Sequence, residues 1–584
     1  MMLKSKLAAV VTLLALLVGA CGPGGQPAEV NSTPVATSVA VAGADNVAAG
    51  SAGAVASVDA YATQVGIEVL QDGGNAIDAA IAVGFALAVT HPSAGNIGGG
   101  GFMTIYVADE DRYTTFDFRE KAPLAATADM YMLDDGTGDR GGGHVGWTAV
   151  GVPGTVAGFA LAHQRLGSLP WERLVQPAVE LAGEGIELGP YLAGSLASAA
   201  RRFESYPASL EAFQHADGTP YEEGETLVQP DLAWSLQQIA TNGPDAFYRG
   251  EIAERLAAAM ADNGGLITME DLAAYEAKER EPIRGTYRGY DIISMPPPSS
   301  GGTTLVEMLN ILENFDLSSH QANDAEVVHL LIEAMRQGYL DRATHLGDAD
   351  FVDVPLGMLT AKEYAAEKAA LIAPGEARRS AELGAAIITA PESPETTHYS
   401  VVDAAGNVVS TTYTIEQGYG SKAMAPGTGF LLNNEMGDFN TWPGMTRGRN
   451  IGTEPNLIAP GKRMLSSMTP TIVARDGKPI MAVGSPGGKT IINTVLRLVV
   501  NVIDFNMSLE DAVAAPRIHH QWLPDSTSLE RNFPDAAFEA LVAMGHVLSE
   551  RRGIQGDAHS IFILPDGTRV AVADPRRNGS AAAY

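Results

Sequence analysis

The succession of hydrophobic periods along this chain predicts a layered α+β or α/β protein. Three observations carry that reading. Alanine-rich helical periodicity starts at Asp59, and the period switches to two immediately after Glu395. Short turns at Ala404-Ala405-Gly406-Asn407, Asp476-Gly477 and Asp566-Gly567 then separate alternating segments, as hairpin turns do.

Taken in chain order, the first segment is not part of the fold. Lys4 and Lys6, an apolar run from Leu7 to Val18 and the small residues Gly19-Ala20 have the layout of a signal peptide over residues 1–20. The apolar run is too short for a membrane-spanning helix. Val18-Gly19-Ala20-Cys21 resembles a bacterial lipobox, which predicts lipidation of Cys21; a plain secretory signal is the alternative. Cys21 is the one cysteine, so no intrachain disulfide and no thiolate metal site can form. Residues 21–51 are then expected to be a lipidated cysteine and a flexible tether, since Gly, Pro, Ala, Val, Ser and Asn dominate there.

The folded part opens with helices predicted over Tyr61–Gln71 and Ala76–Thr90. The run Gly95-Asn96-Ile97-Gly98-Gly99-Gly100-Gly101 follows, and a strand over Phe102–Val107. A phosphate loop is one reading of the glycines. The order loop-to-strand, rather than strand-loop-helix, favours tight backbone packing beneath a site. From Trp171 to Ala385 the pattern is mostly helical, as in Ala325–Asp341, with an interruption at Pro296-Pro297-Pro298-Ser299-Ser300-Gly301-Gly302. Thr389–Glu395 is polar and proline-bearing and is expected to be exposed or mobile. Strands are predicted at Thr397–Asp403 and Val408–Thr414, at Thr471–Ala474 and Pro479–Val483, and at Phe430–Leu432. Helices are predicted from Thr490 to about Asp504 and near Pro534–Met544.

The chain has 584 residues, 46% of them hydrophobic and 18% charged, enough for a large core and, by length, for several domains. A net charge of −31 offers no attractive field to phosphates, which argues against a nucleic-acid partner. No G-x-S-x-G, H-E-x-x-H, complete Walker loop or C-x-x-C motif is present. His519-His520 could ligate a metal, but a structural role is the simpler reading.

Chemistry is suggested where an exposed polar loop runs into a strand at Pro394-Glu395-Thr396-Thr397-His398. A threonine hydroxyl needs a base, and a chain cut before Thr396 would supply one as the residue's own α-amino group. That group titrates at about 7.7–8.0, close to working pH. Alone, a Thr-Thr pair at a strand start reflects only β-propensity.

The surrounding motifs change the weighing. GNIGGGGF (Gly95–Phe102), Asp117-Phe118-Arg119-Glu120 with Ala122-Pro123, Val152-Pro153-Gly154-Thr155, TTHYSVVD (Thr396–Asp403), LLNNEMGDF (Leu431–Phe439), LSSMTPT (Leu465–Thr471), GSPGG (Gly484–Gly488) and PRIHHQW (Pro516–Trp522) lie in one order along the chain. Together they resemble the γ-glutamyltransferase (γ-glutamyl transpeptidase, glutathione hydrolase) family of N-terminal-nucleophile hydrolases. The resemblance implies a four-layer αββα sandwich, two central mainly antiparallel sheets flanked by helices. It implies self-cleavage between Glu395 and Thr396 into a large subunit, residues 52–395, and a small catalytic subunit, residues 396–584, that share one fold. Thr396 would be nucleophile and α-amino base, Thr414 would orient it, and the backbone of Gly487 and Gly488 would form the oxyanion hole. Arg119, Ser466 and Ser467 would bind a substrate α-carboxylate, and Glu416, Glu435 and Asp438 its α-ammonium. Glycines before a helix could also hold phosphate, a reading the other motifs outweigh.

The implied partners are glutathione or other γ-glutamyl small molecules, with water or an amino acid or dipeptide as acceptor. The implied setting is the bacterial periplasm or cell surface, with membrane attachment through Cys21. The resemblance implies no cofactor and no metal. Two departures stand out: Glu416 where many members have asparagine, and Arg447-Gly448-Arg449 in the lid stretch Trp442–Lys462 where a tyrosine is usual. An acylase acting on another glutaryl- or glutamyl-like amide, a poly-γ-glutamate depolymerase, or an inactive surface-binding lipoprotein are the alternatives.

Overall fold

A computed structural model of the protein describes residues 46–135, 139, 141–384, 387–388, 395–440, 451–452, 454–549 and 553–584. The signal peptide, Cys21 and most of the tether lie outside these residues, as do residues 389–394 of the polar loop.

Two seven-stranded sheets form the centre. The first runs, in order, Ser580–Ala583, Ala54–Ser57, Thr397–Val402, Val408–Thr414, Gly100–Val107, Arg112–Asp117 and Lys278–Arg280. The second runs Val47–Gly50, Arg569–Val572, Ser560–Ile563, Lys478–Val483, Thr471–Arg475, Tyr290–Ser294 and Ile283–Tyr287. Every neighbouring pair in both is antiparallel. Small and branched side chains such as Ala54, Val402, Val408, Ile472, Ala482 and Ile561 fill the space between the sheets. That choice lets two pleated faces approach closely.

Helices cover both outer faces. Ala76–Thr90 is buried along its whole length against the first sheet and its helical neighbours, which is why it reads as continuously apolar rather than amphipathic. Its N-terminus is closed by a capping box: Asn75 accepts from the amides of Ile77 and Asp78, and Asp78 accepts from that of Asn75. Gly301–Leu312 packs on the second sheet, and Ala325–His345 and Thr490–Ile503 pack against that helix in the same core. The architecture is therefore the αββα sandwich, with antiparallel sheets as expected. Among the described residues, no helix is long and apolar enough to cross a membrane.

Two boundaries differ from the sequence expectation. The tether ends earlier, because Val47–Gly50 joins the edge of the second sheet opposite Val572–Arg569; alternating exposure in an alanine-rich strand gave no hydrophobic signal for it. Phe430–Leu432 is not a strand, and only Leu431 bridges, to Met424. Its backbone bonds stay within the adjoining turn: the Leu432 amide donates to the Ala423 carbonyl, and the Leu432 carbonyl accepts from the Ser421 amide and hydroxyl. The adjoining Asn433 side chain donates to the Gly98 and Gly151 carbonyls and accepts from the Gly151 amide. The region predicted as mostly helical also holds the strand pair Ile283–Tyr287 and Tyr290–Ser294.

Candidate active site

The register of one hairpin places the candidate nucleophile. Thr397 pairs with Tyr413, so Thr396 lies across from Thr414 at the end of the ladder. The Thr396 hydroxyl is 3.3 Å from that of Thr414 and donates to the Glu395 carbonyl at 2.5 Å. Thr414 Oγ1 also reaches that carbonyl, at 3.4 Å, and accepts from the Glu416 amide at 2.8 Å. The uncut chain thus holds the Thr396 hydroxyl against the peptide that precedes it. Arg577 pairs with the Glu395 carboxylate at 3.1 Å from outside.

The glycine run packs beneath this corner. Asn96 donates to the Thr414 carbonyl and accepts from the Gly99 amide. A Cβ on Gly99 would lie 2.1 Å from the Thr414 carbonyl oxygen, and one on Gly98 would lie 2.2 Å from that of Leu431. Close approach of backbone to backbone, not a ligand cradle, accounts for these glycines.

Thr396 opens onto a cleft of about 240 Å³ lined by Arg119, Thr414, Glu416, Glu435, Asp438, Ser466, Ser467 and Gly488 among others. The structure therefore gathers the sequence-predicted residues at one place. Gly487 and Gly488 have φ of +136° and +54°, conformations that suit glycine, and immediately precede the Thr490–Ile503 helix. Lys489, at the N-cap, completes the turn.

The floor of the cleft is charged. Arg119, buried, pairs with Glu435 at 2.7 Å, Asp438 at 2.5 Å and Glu120 at 3.5 Å. Burial disfavours its charge, but these carboxylates outweigh burial and raise its pKa. Burial pushes Glu120 up to about 8 against the pull of Arg119, and pushes Glu435 well above the ordinary carboxylate range. Glu416 is driven up to about 7 by burial, with His144 opposing and Asp438 adding to the rise. His144 Nδ1 stands 3.8 Å from Glu416 Oε2, and attraction to Glu416 raises the His144 pKa despite burial. Glu120, Glu435 and Asp438 crowd the Arg119 guanidinium, and Glu416 faces His144, so burial disfavours ionisation of all four acids together.

Ser466 and Ser467 form the wall facing Arg119. The Met468 amide donates to Ser466 Oγ at 3.1 Å. Asn456 ties this wall to the acid loop, donating to the Asp438 carbonyl and accepting from the Leu465 amide. Much of the predicted lid, residues 442–450 and 453, lies outside the described residues, Arg447 and Arg449 included.

Four participants were not singled out from sequence. Glu120 was visible only as a neighbour of Arg119 in its motif. Asn434, which donates to the Glu416 carboxylate and the His144 carbonyl, sits in a recognised motif without a role. His144 and Arg577 carried no signal, being far from Thr396 in the chain. His519 and His520 lie away from the cleft in buried hydrogen bonds with Asn493, Gln521 and Thr527, in keeping with a structural role.

Comparison with known proteins gives this geometry a context. The family model described as gamma-glutamyltranspeptidase matches residues 62–584. The glutathione hydrolase proenzyme of Escherichia coli (strain K12) is 48% identical over 525 residues, covering 90% of each chain. The acylase ACY 1 proenzyme of Pseudomonas sp. (strain SE83) is 41% identical over 543 residues, 92% of this chain and 94% of its own. A solved cephalosporin acylase from Bacillus halodurans superposes with a TM-score of 0.81 at 28% identity, over 95% of this chain and 99% of that one.

The packing of the glycine run yields a test of its own. Gly99→Ala forces a methyl group onto the Thr414 carbonyl, which cannot retreat without breaking the hairpin. The variant is expected to lose about 2 kcal/mol or more of stability, read as a lower denaturation midpoint than wild type. An unchanged midpoint would show that the loop has slack.

Proposed function

This chain belongs to the gamma-glutamyltranspeptidase family, and we propose that Thr396 is the N-terminal nucleophile of a self-processing γ-glutamyl amidase. The observation that carries the reading is the Thr396 hydroxyl held between Thr414 and the Glu395 carbonyl, at the mouth of a cleft floored by Arg119 and acids.

Processing begins when the Thr396 hydroxyl oxygen attacks the Glu395 carbonyl carbon. The peptide C–N bond breaks, its nitrogen takes the proton, and an ester joins Glu395 to Thr396 Oγ1. Water hydrolyses the ester, leaving a carboxylate on Glu395 and a free α-amine on Thr396. The large subunit, which ends at Glu395 and includes the strand Val47–Gly50, and the small subunit, residues 396–584, stay together as a heterodimer, because strands from both sides of the cut pair with one another in both sheets. Cys21, acylated after removal of residues 1–20, anchors the exported enzyme to a bacterial membrane at the periplasm or cell surface.

In turnover the Thr396 α-amine takes the hydroxyl proton as the oxygen attacks the γ-carbonyl of glutathione or a related γ-glutamyl amide. Amides of Gly487 and Gly488 receive the developing oxyanion, a contribution on the order of 10²–10³ in rate for a single donor. The protonated α-amine returns its proton to the leaving amine, and a γ-glutamyl ester remains on Thr396. Water or the amino group of an amino acid or dipeptide then releases it. Arg119, Ser466 and Ser467 hold the donor α-carboxylate, while Glu416, Glu435 and Asp438 accept its α-ammonium. That ammonium adds positive charge to the acid cluster and so favours ionisation of carboxylates whose pKa burial raises.

The acylase relatives favour a second reading, an acylase, whose simplest donor here would carry a plain glutaryl group. Such a group brings no ammonium and leaves the acid cluster without its counter-charge. A γ-glutamyl anilide should therefore be turned over far better than a glutaryl anilide, and the reverse preference would install the second reading.

Three further outcomes are expected. Wild type should run as two fragments on a denaturing gel, whereas Thr396→Ala should stay one chain and be inactive toward the anilide. An active Thr396→Ala protein would sink the mechanism. Arg119→Lys keeps the charge but loses the fork, so fragments should still form while kcat/KM drops by about one to two orders of magnitude. Finally, pH dependence separates two groups. Glu416 must be ionised to take the ammonium, and the Thr396 α-amine must be neutral to act as base, so both deplete kcat/KM as pH falls. In wild type the acid limb should steepen below about 7, where Glu416 titrates. In Glu416→Gln that added steepness should be lost; an unchanged profile would remove Glu416 from ammonium binding.

A further inference from the structure

The Pro296–Gly302 segment interrupts the helical middle of the chain and has no part in the chemistry above. It lies directly behind the Ser466–Ser467 wall. Ser300 donates to the Ser466 carbonyl from both its amide, at 2.8 Å, and its hydroxyl, at 2.6 Å. The Ser466 amide donates to the Pro298 carbonyl at 3.0 Å. Ser299 Oγ donates to the Met468 carbonyl at 2.5 Å. A Cβ on Gly301 would lie 2.3 Å from Thr469 Oγ1, so the two segments touch closely.

Arg342 completes this bracket. It projects from the last turn of the Ala325–His345 helix and is 4% exposed. Its Nε donates to Ser300 Oγ at 2.8 Å and its Nη2 to Ser467 Oγ at 2.9 Å.

The direction of these bonds matters. A serine hydroxyl has one hydrogen and two lone pairs, and guanidinium can only donate. Arg342 therefore occupies a lone pair of Ser467 Oγ, and the Met468 amide occupies one of Ser466 Oγ. Both hydroxyl hydrogens are left to point elsewhere, and both serines line the cleft. Arg342 also places its guanidinium directly behind the wall. Arg119, the cation inside the cleft, is already engaged by Glu435 and Asp438.

We propose that Arg342 is a positioning residue for substrate recognition: bracketed by Ser300, it fixes Ser467 as a hydrogen-bond donor and supplies a second positive charge to the donor's α-carboxylate. The inference rests on the reading of Ser466 and Ser467 as carboxylate donors, and its test separates the two. Processed wild type, Arg342→Gln, Arg342→Lys and Ser467→Ala are compared on γ-glutamyl-4-nitroanilide and on 4-aminobutanoyl-4-nitroanilide, which is the same donor without its α-carboxylate.

Arg342→Gln should lower kcat/KM for the glutamyl substrate about tenfold or more, mainly through KM, and leave the 4-aminobutanoyl substrate within about twofold. Arg342→Lys should recover part of the lost preference, through charge without the fork. Equal losses on both substrates would mean that Arg342 only supports the fold, and no loss on either would mean that it does nothing for the wall; each overturns the proposal. If Ser467→Ala shifts the preference and Arg342→Gln does not, this inference alone falls. If Ser467→Ala leaves the preference intact, the carboxylate reading falls with it. Should Arg342→Gln fail to fold, Ser300→Ala removes the hydroxyl between Arg342 and Ser466 without burying a charge. It is expected to shift the preference in the same direction, and an unchanged preference there overturns the proposal.

Discussion

The site depends first on a register. Because Thr397 faces Tyr413 in the central hairpin, Thr396 meets Thr414, and everything nearby serves to keep that meeting in place. Asn96 bonds the Thr414 carbonyl, the glycine run presses against it, and the Glu416 amide bonds the Thr414 hydroxyl. A slip of one residue would turn Thr396 to the other face of the sheet. Two packed sheets forbid the slip, since both strands are buried on both faces.

Charge is the second organising constraint. Arg119, Glu120, Glu435 and Asp438 lie close together at very low exposure. An arrangement of this kind adds little to stability, because desolvation offsets much of the attraction. Its bearing on the proposed function is selectivity, since a cluster rich in carboxylates favours a ligand that brings positive charge.

Much of this was legible in the sequence, for identifiable reasons. The helix Ala76–Thr90 and the strand Val408–Thr414 were read with the ends the structure gives, because Pro92 after the one, the Ala404–Asn407 turn before the other and a change of period mark them. Local motifs brought Arg119, Asp438, Ser466, Ser467 and Gly488 to notice before the fold placed them around one cleft. What escaped notice lacked a local signature. The Val47–Gly50 edge strand is too poor in bulky residues to announce itself. His144, Arg577 and Arg342 owe their positions to contacts across long stretches of chain, and no spacing rule reports these. Phe430–Leu432 looked like a strand because it is apolar, but it bridges only at Leu431, to Met424, and its backbone bonds close a local turn with Ser421 and Ala423.

The alternation of strands from either side of Thr396 has a consequence for how the protein comes into being. Ala54–Ser57 and Gly100–Val107 flank the hairpin of Thr397–Val402 and Val408–Thr414, and Ser580–Ala583 closes the edge beyond Ala54–Ser57. Neither the piece before the cut nor the piece after it could assemble either sheet alone. The architecture must therefore be complete before the nucleophile exists, and the intact chain acts as its own template. Once the cut is made, the two pieces are interlocked products of a folding route that neither can retrace. Durability of the mature form then depends on how slowly it opens, not on an equilibrium to which it could return.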